Sequence, residues 1–156
     1  MPDSNIPSAN SVQEEAIGLF ERRFGVGREI LDRITFLTLR DEIWACTSTP
    51  PAGITSERSP GLRALRRQGD RLKPTSTFLI ALGDRITAAR IDLDPEALRH
   101  VLLGQRLPVS STEHGYVALC FQGDVVGCGR IHNGILQALI PTGRRRELLG
   151  ALTARP

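Results

Sequence analysis

Two tight-turn signatures sit inside one apolar stretch near the C-terminus, and they leave that stretch few options besides an antiparallel meander. The stretch runs Gly115-Tyr-Val-Ala-Leu-Cys-Phe-Gln-Gly-Asp-Val-Val-Gly-Cys-Gly-Arg130-Ile-His-Asn-Gly-Ile-Leu-Gln-Ala-Leu-Ile-Pro141. Gln122-Gly123-Asp124 separates the aromatic and aliphatic run Tyr116–Phe121 from Val125-Val126. Asn133-Gly134 lies between two further apolar runs, and both residue types tolerate the positive φ that a type I′ turn demands. Gly127 and Gly129 bracket Cys128 inside the middle strand, where a missing side chain marks a bulge or the close approach of another backbone. The expectation is a curled sheet of three strands leading into a cationic tail, Arg144-Arg145-Arg146.

With 156 residues, 40% of them hydrophobic, the chain is long enough for one modest core or two small lobes. Its net charge of +3 is too mild to indicate a polyanionic partner, so the distribution matters more than the total. Residues 1–59 carry six Arg against nine acids, and residues 74–140 are also slightly acidic. The positive excess sits in two short segments: Arg63, Arg66, Arg67, Arg71 and Lys73 against Asp70, and Arg144, Arg145, Arg146 and Arg155 against Glu147. Nineteen of the twenty basic residues are Arg, which favours planar, bidentate phosphate contact and stacking on bases. Genomic bias toward Arg explains such an excess but not its clustering.

Residues 1–10 read as a disordered tail. Ser11-Val-Gln-Glu14 has the capping-box pattern, and Val12, Ala16, Leu19, Phe20 and Phe24 follow at helical spacing before Gly25 stops the helix. Ile30 and Leu31 suggest a second short turn of helix. Ile34–Leu39 and Ile43–Cys46 read as an antiparallel hairpin, and Leu62–Leu65 as a returning strand. Between them, Thr47–Gly61 carries the densest Pro and Gly punctuation in the chain and reads as a flexible loop. Thr75 or Ser76 can cap a buried helix over Phe78–Leu82 with Gly83 at its C′ position. Ile86–Leu93 is expected as a strand. Asp94-Pro95-Glu96 opens a helix with an acceptor, a proline and an acid in their favoured places; Leu98, Val101 and Leu102 form its inner face, and Gly104 ends it.

Catalytic patterns are scarce. Cys120, Cys128, His132 and Cys46 do not match the spacing of a zinc site, and no Ser, His and acid fall into a recognisable set. Cys128 has Arg130 and His132 nearby, the raw materials of an activated thiol, but a buried strand cysteine is the simpler reading. Gly123, Gly127 and Gly129 lie in a hairpin rather than ahead of a helix, which speaks against a nucleotide cradle. No metal and no cofactor is therefore expected. Three cysteines without a Cys-x-x-Cys pair, a polar N-terminus and the lack of a long apolar run point to a reduced, cytoplasmic protein away from membranes. A small curved sheet flanked by Arg-rich segments, with rings at Tyr116, Phe121 and Trp44, suits RNA, where phosphate contacts supply affinity and exposed bases or shape supply selectivity. The competing reading makes Trp44 and Phe121 core residues and the Arg clusters solvated surface.

The run Lys73-Pro-Thr-Ser-Thr-Phe-Leu-Ile-Ala-Leu-Gly-Asp-Arg, the Asp92-Leu-Asp-Pro-Glu-Ala-Leu-Arg helix start, Leu102-Leu-Gly-Gln-Arg-Leu-Pro108, Gly115-Tyr-Val and Leu136–Pro141 together resemble the C-terminal PUA-like region of RsmF-type RNA (cytosine-5) methyltransferases. Upstream, Phe20-Glu-Arg-Arg-Phe-Gly-Val-Gly-Arg-Glu-Ile-Leu and Ile43-Trp-Ala resemble the small α+β unit that precedes PUA domains in several RNA-modification and ribosome-assembly proteins. The resemblance spans about residues 15–148. It implies an α+β fold: a disordered tail at 1–10, a small pre-PUA-like α+β unit at 11–70, and a PUA-like mixed β pseudo-barrel with short helices at 71–150. It also implies a role in holding structured rRNA or tRNA. The chain is expected to be a non-catalytic, monomeric RNA-binding protein accessory to RNA modification or ribosome assembly, with an RNA-modifying enzyme as a candidate partner.

The methyltransferase fold of that family, with its S-adenosylmethionine loop and catalytic cysteines, has no counterpart in these 156 residues, and Cys46 lacks the Pro-Cys context. The chain thus reads as a free-standing accessory domain. Family members often carry Lys near the turn after the third strand, whereas here Gln137 and Thr142 stand there and the cations shift to Arg144–Arg146. Arg67, Arg71, Lys73, Arg130, Arg144, Arg145 and Arg146 are the candidate phosphate contacts, with Tyr116 as the candidate stacking ring. The alternative is a scaffold module that partners a separate RNA methyltransferase without RNA affinity of its own.

Overall fold

In the computed structural model, which describes residues 9–47 and 61–154, the C-terminal meander forms strands β7 (Gly115–Phe121), β8 (Asp124–His132) and β9 (Ile135–Ala138). Gln122 and Gly123 turn at φ 53° and 87°, and Asn133 and Gly134 at 51° and 75°, so both connections have the paired positive φ of a type I′ turn. β8 carries one extra residue, Val126, where Leu119 pairs with Gly127 but Cys120 pairs with Val125. A Cβ on Gly127 would stand 2.5 Å from Ile140 Cγ1, and one on Gly129 2.9 Å from Leu119 Cδ2. Bulge and close approach are both present, and the sheet curls into a mixed half-barrel. Strands β5 (Arg90–Asp92) and β6 (Leu107–Pro108) complete it in the order β5-β7-β8-β9-β6, with β5 parallel to β7.

The other sheet is the antiparallel meander β1 (Thr35–Leu39), β2 (Glu42–Cys46), β3 (Leu62–Gln68) and β4 (Arg71–Pro74). β4 is not among the expected strands because it is short and half its residues are charged, yet Leu72 and Pro74 alternate into the interior and Gly69, at φ 62°, makes the turn before it. Helix α1 (Ala9–Phe24) covers this sheet: Val12, Ala16, Ile17, Phe20 and Phe24 are buried, and Phe20 meets Phe24, Phe36 and Phe78 in an aromatic cluster with centroids 4.9–6.1 Å apart. The α1 residue Gln13 accepts from Phe36 N at 2.7 Å and donates to Ile34 O at 2.7 Å, so its amide extends the edge of β1.

The start of α1 corrects the sequence reading. Ala9 and Asn10, assigned to the tail, are already helical, which puts Ser11 inside the first turn instead of at the cap. Ala9 is a good helix former, and the burial of the α1 face against the sheet favours extending the helix past a purely local capping signal. The rest of the expected tail and residues 48–60 of the expected loop lie outside the described residues. The short α2 (Arg28–Leu31) falls where Ile30 and Leu31 indicated.

The expected strand Ile86–Leu93 shrinks to β5 because its first half has another task. α1 ends in an αL motif at Gly25 (φ 64°), whose N–H donates to Glu21 O. The amides of Thr87 and Ala88 then both donate to Phe24 O, at 2.9 and 3.1 Å, and Thr87 Oγ1 donates to Gly25 O at 2.7 Å. Segment 86–88 is therefore the C-terminal cap of a helix sixty residues away in sequence. Ala89, at φ 55°, redirects the chain into β5.

Helix α3 (Ser76–Leu82) joins the two sheets. Thr75 is its cap, accepting from Phe78 N at 3.1 Å, which frees Ser76 for a cross-sheet role. Ser76 Oγ donates to Leu139 O at 3.0 Å and accepts from Cys128 N at 2.9 Å. Helix α4 (Pro95–Leu102) begins as its sequence indicates, with Asp94 Oδ1 accepting from Ala97 N at 2.7 Å. The expected cationic tail is instead a helix, α5 (Thr142–Ala154), docked on α4. Its Leu148 and Leu152, with Leu98, Phe121 and Val126, line a small hollow of about 160 Å³ in which Phe121 is half-buried. Good helix formers and one leucine-bearing side suffice once α4 is there to receive them. A single hydrophobic cluster runs from α1 through α3 into β7, β8 and α4.

Candidate nucleic-acid interface

Register fixes which side chains share the solvent-facing side of the five-stranded sheet. Tyr116 stands opposite Arg130, and Arg130 opposite Gln137; His132, two residues on, stands opposite Ile135. Arg106, from the loop that leaves α4, closes one side. Arg106, Arg130, His132, Asn133, Ile135 and Gln137 line a hollow of about 350 Å³. Neither Asp nor Glu is among them, so two guanidinium groups, one imidazole and two amides line the same space.

The hollow is held in place by hydrogen bonds of the surrounding frame. Gly104 leaves α4 at φ 82°, and His100 Nε2 lies 3.1 Å from Arg106 O; a carbonyl only accepts, so Nε2 carries the proton. Arg145 from α5 comes to the same loop: a Cβ on Gly104 would lie 3.3 Å from Arg145 Nη1. On the other side, Arg23 Nε donates to Tyr116 O at 2.7 Å and Arg23 Nη1 pairs with Glu113 at 3.1 Å, fixing the start of β7. The rings of His114 and His132 lie 5.6 Å apart at the rim.

The eight residues singled out from sequence do not form one patch. Tyr116, half-buried, and Arg130, exposed, share the sheet face just described. Arg71 and Lys73 lie on the outer face of the four-stranded sheet, where Lys73 is opposite Arg66 and Arg71 opposite Gln68. Arg67 has the opposite parity: it points to the helix side and pairs with Glu15 of α1 at 3.1 Å. Arg144 pairs with Glu147 one turn along α5 at 2.9 Å, Arg145 donates to Thr142 Oγ1 at 3.1 Å, and Arg146 is exposed.

Arg106, His132 and Gln137 are not among the phosphate or stacking candidates that the sequence supplies. His132 was within reach of it, because it lies two residues from Arg130 and just before the Asn-Gly turn, and period-two alternation puts it on the same face. Arg106 carries no such signal, since its place depends on how α4 ends against β9.

The cysteines are packing residues. Burial pushes the Cys128 thiol up to about 12, and it raises Cys120 and Cys46 above their ordinary value as well. Cys46 stands in the four-stranded sheet, apart from the pair in β7 and β8. The raised thiols leave the nucleophilic reading of Cys128 without the depressed pKa it requires.

Residues 88–146 match the family model of the methyltransferase RsmF PUA domain. This part of the chain, which is similar to a PUA domain of the RsmF type, runs from just ahead of β5 to the first turn of α5 and contains every residue that lines the hollow. No curated protein sequence matches the chain.

Proposed function

We propose that this chain binds structured RNA, rRNA or tRNA, through the outer face of its PUA-like sheet, as a non-catalytic module accessory to RNA modification or ribosome assembly. The observation that carries the reading is the hollow itself: Arg106 and Arg130 face one space, without a carboxylate in its lining, within the residues that match a PUA domain. Guanidinium groups on a rigid sheet suit bidentate phosphate contact. Gln137 and Asn133 add neutral amides able to meet sugar hydroxyls and base edges, and Tyr116 adds ring area beside Arg130. The raised thiols support a binding role over nucleophilic chemistry.

Anisotropy of labelled tRNA and rRNA fragments, measured across salt concentrations, tests it. Each phosphate contact adds about 0.7–0.9 to the slope of log affinity against log salt. Replacing Arg106 and Arg130 together with Ala should flatten the slope by about two such steps. No binding even at low salt would sink the reading and leave the scaffold alternative in its place.

A further inference from the structure

A second concavity, of about 370 Å³, lies at the seam between the two sheets. Its cationic side chains, Arg63, Arg66 and Lys73, belong to β3 and β4, outside the residues that match the PUA domain. Trp44 of β2 lines one wall, and Leu139 and Pro141 the other.

Several features of this groove suit a ligand of one chemistry. Arg66 and Lys73 face each other directly across β3 and β4, and neither has a carboxylate partner among the described residues. Like charges opposed across a strand pair destabilise it, and an anion held between them removes that cost. Trp44, a residue type that mostly packs inward, sits on the outer face of its sheet: its neighbours Ile43 and Ala45 are buried in the core. Arg63 is held at Trp44 from two sides, by an ion pair with Glu42 at 2.7 Å and by its guanidinium carbon 5.8 Å from the indole centroid. The indole Nε1 is buried and makes no hydrogen bond.

A guanidinium lying over an indole, an apolar wall and two unpaired cations match a nucleotide: a flat base with an apolar face, joined to a phosphate. We infer that this groove binds an unpaired nucleotide of an RNA strand, with its base against the Arg63–Trp44 pair and its phosphate between Arg66 and Lys73. The inference rests on the RNA-binding reading above and adds to it a single-stranded site on the other sheet. An RNA bound to the hollow would place a duplex or folded element there and an unpaired flank here.

Trp44 is the only tryptophan of the chain, so its fluorescence reports on this groove alone. The full chain is titrated with an unstructured RNA octamer while tryptophan emission is followed, and a fluorescein-labelled copy of the same octamer reports total binding by anisotropy. The expected result is saturable quenching with the same midpoint as the anisotropy change. Arg66→Ala with Lys73→Ala should lower the salt slope for the octamer by about 1.4, two contacts at about 0.7 each, while Arg130→Ala leaves the quenching in place. Trp44→Leu should weaken the octamer by about 5- to 100-fold, the usual worth of one base stacked on an aromatic ring. Anisotropy binding with unchanged emission, and with no effect of the Arg66 and Lys73 substitutions, overturns the groove while leaving the sheet face standing. Absence of binding by octamer and folded RNA alike overturns both. Adenosine monophosphate, titrated alone, distinguishes the two sources of a nucleotide: affinity equal to that of the octamer would overturn the strand assignment.

Discussion

Ser76→Ala removes one oxygen atom from the joint between the two sheets, and the structure gives the cost. Ser76 is 5% exposed, and its hydroxyl makes two hydrogen bonds, one to Leu139 O and one from Cys128 N. Losing them costs about 1 kcal/mol each, and leaving a buried N–H without an acceptor raises the loss within a range of about 1–3 kcal/mol per stranded group. Alanine returns about 0.5 kcal/mol through better helix propensity at the start of α3. A net loss of about 2–3 kcal/mol is therefore expected. For a chain of this size that lowers Tm by about 5–10 °C. Urea denaturation followed by circular dichroism measures the first quantity and a thermal melt the second. Thr77→Ala, at the exposed neighbouring position, serves as control and should stay within about 0.5 kcal/mol of the parent. A Ser76→Ala loss no larger than that of the control would refute the account of Ser76 as the link between α3 and the strands β8 and β9.

Four further outcomes follow from the same frame. Gly127→Ala should destabilise by about 1–3 kcal/mol, because its Cβ would meet Ile140 at 2.5 and 2.7 Å, and Gly129→Ala should cost less, since its nearest contacts are flexible leucine ends at 2.9 and 3.0 Å; equal losses in urea denaturation would contradict this order. In the native protein at pH 8, a thiol reagent should modify the half-buried Cys46 and spare Cys120 and Cys128 until urea unfolds the chain, as mass spectrometry would show. Cys128 ionises near 9.0 when unfolded but only at about 12 when folded, so the unfolded state loses its proton first and stability should fall as pH rises from about 9 toward 12. Arg67→Ala should lower stability by no more than about 1 kcal/mol and leave RNA affinity unchanged, because that side chain is paired with Glu15 on the helix side; weakened binding in the anisotropy assay would put Arg67 back among the contacts.

The C-terminal meander, its two turns, the close approach at Gly127 and Gly129, the start of α4 and the hairpin of β1 and β2 are all legible in the order of residues alone. Each rests on a local rule: alternation of apolar residues, a φ that few residues adopt, or a side chain that reaches its own helix end. The remaining features depend on partners far away in the chain. Thr87 and Ala88 would suit a strand, but the open carbonyl of Phe24 draws their amides; Ser76 would suit a cap, but its hydroxyl meets Cys128 and Leu139. The fate of the basic clusters is the clearest case. Arg66, Arg67, Arg71 and Lys73 lie within eight positions, yet strand parity sends Arg67 to an ion pair with Glu15 and the others to the opposite face. Charge in a sequence has a sign and a position along the chain; whether it is paired or open to a ligand depends on which face and which neighbours the fold assigns to it.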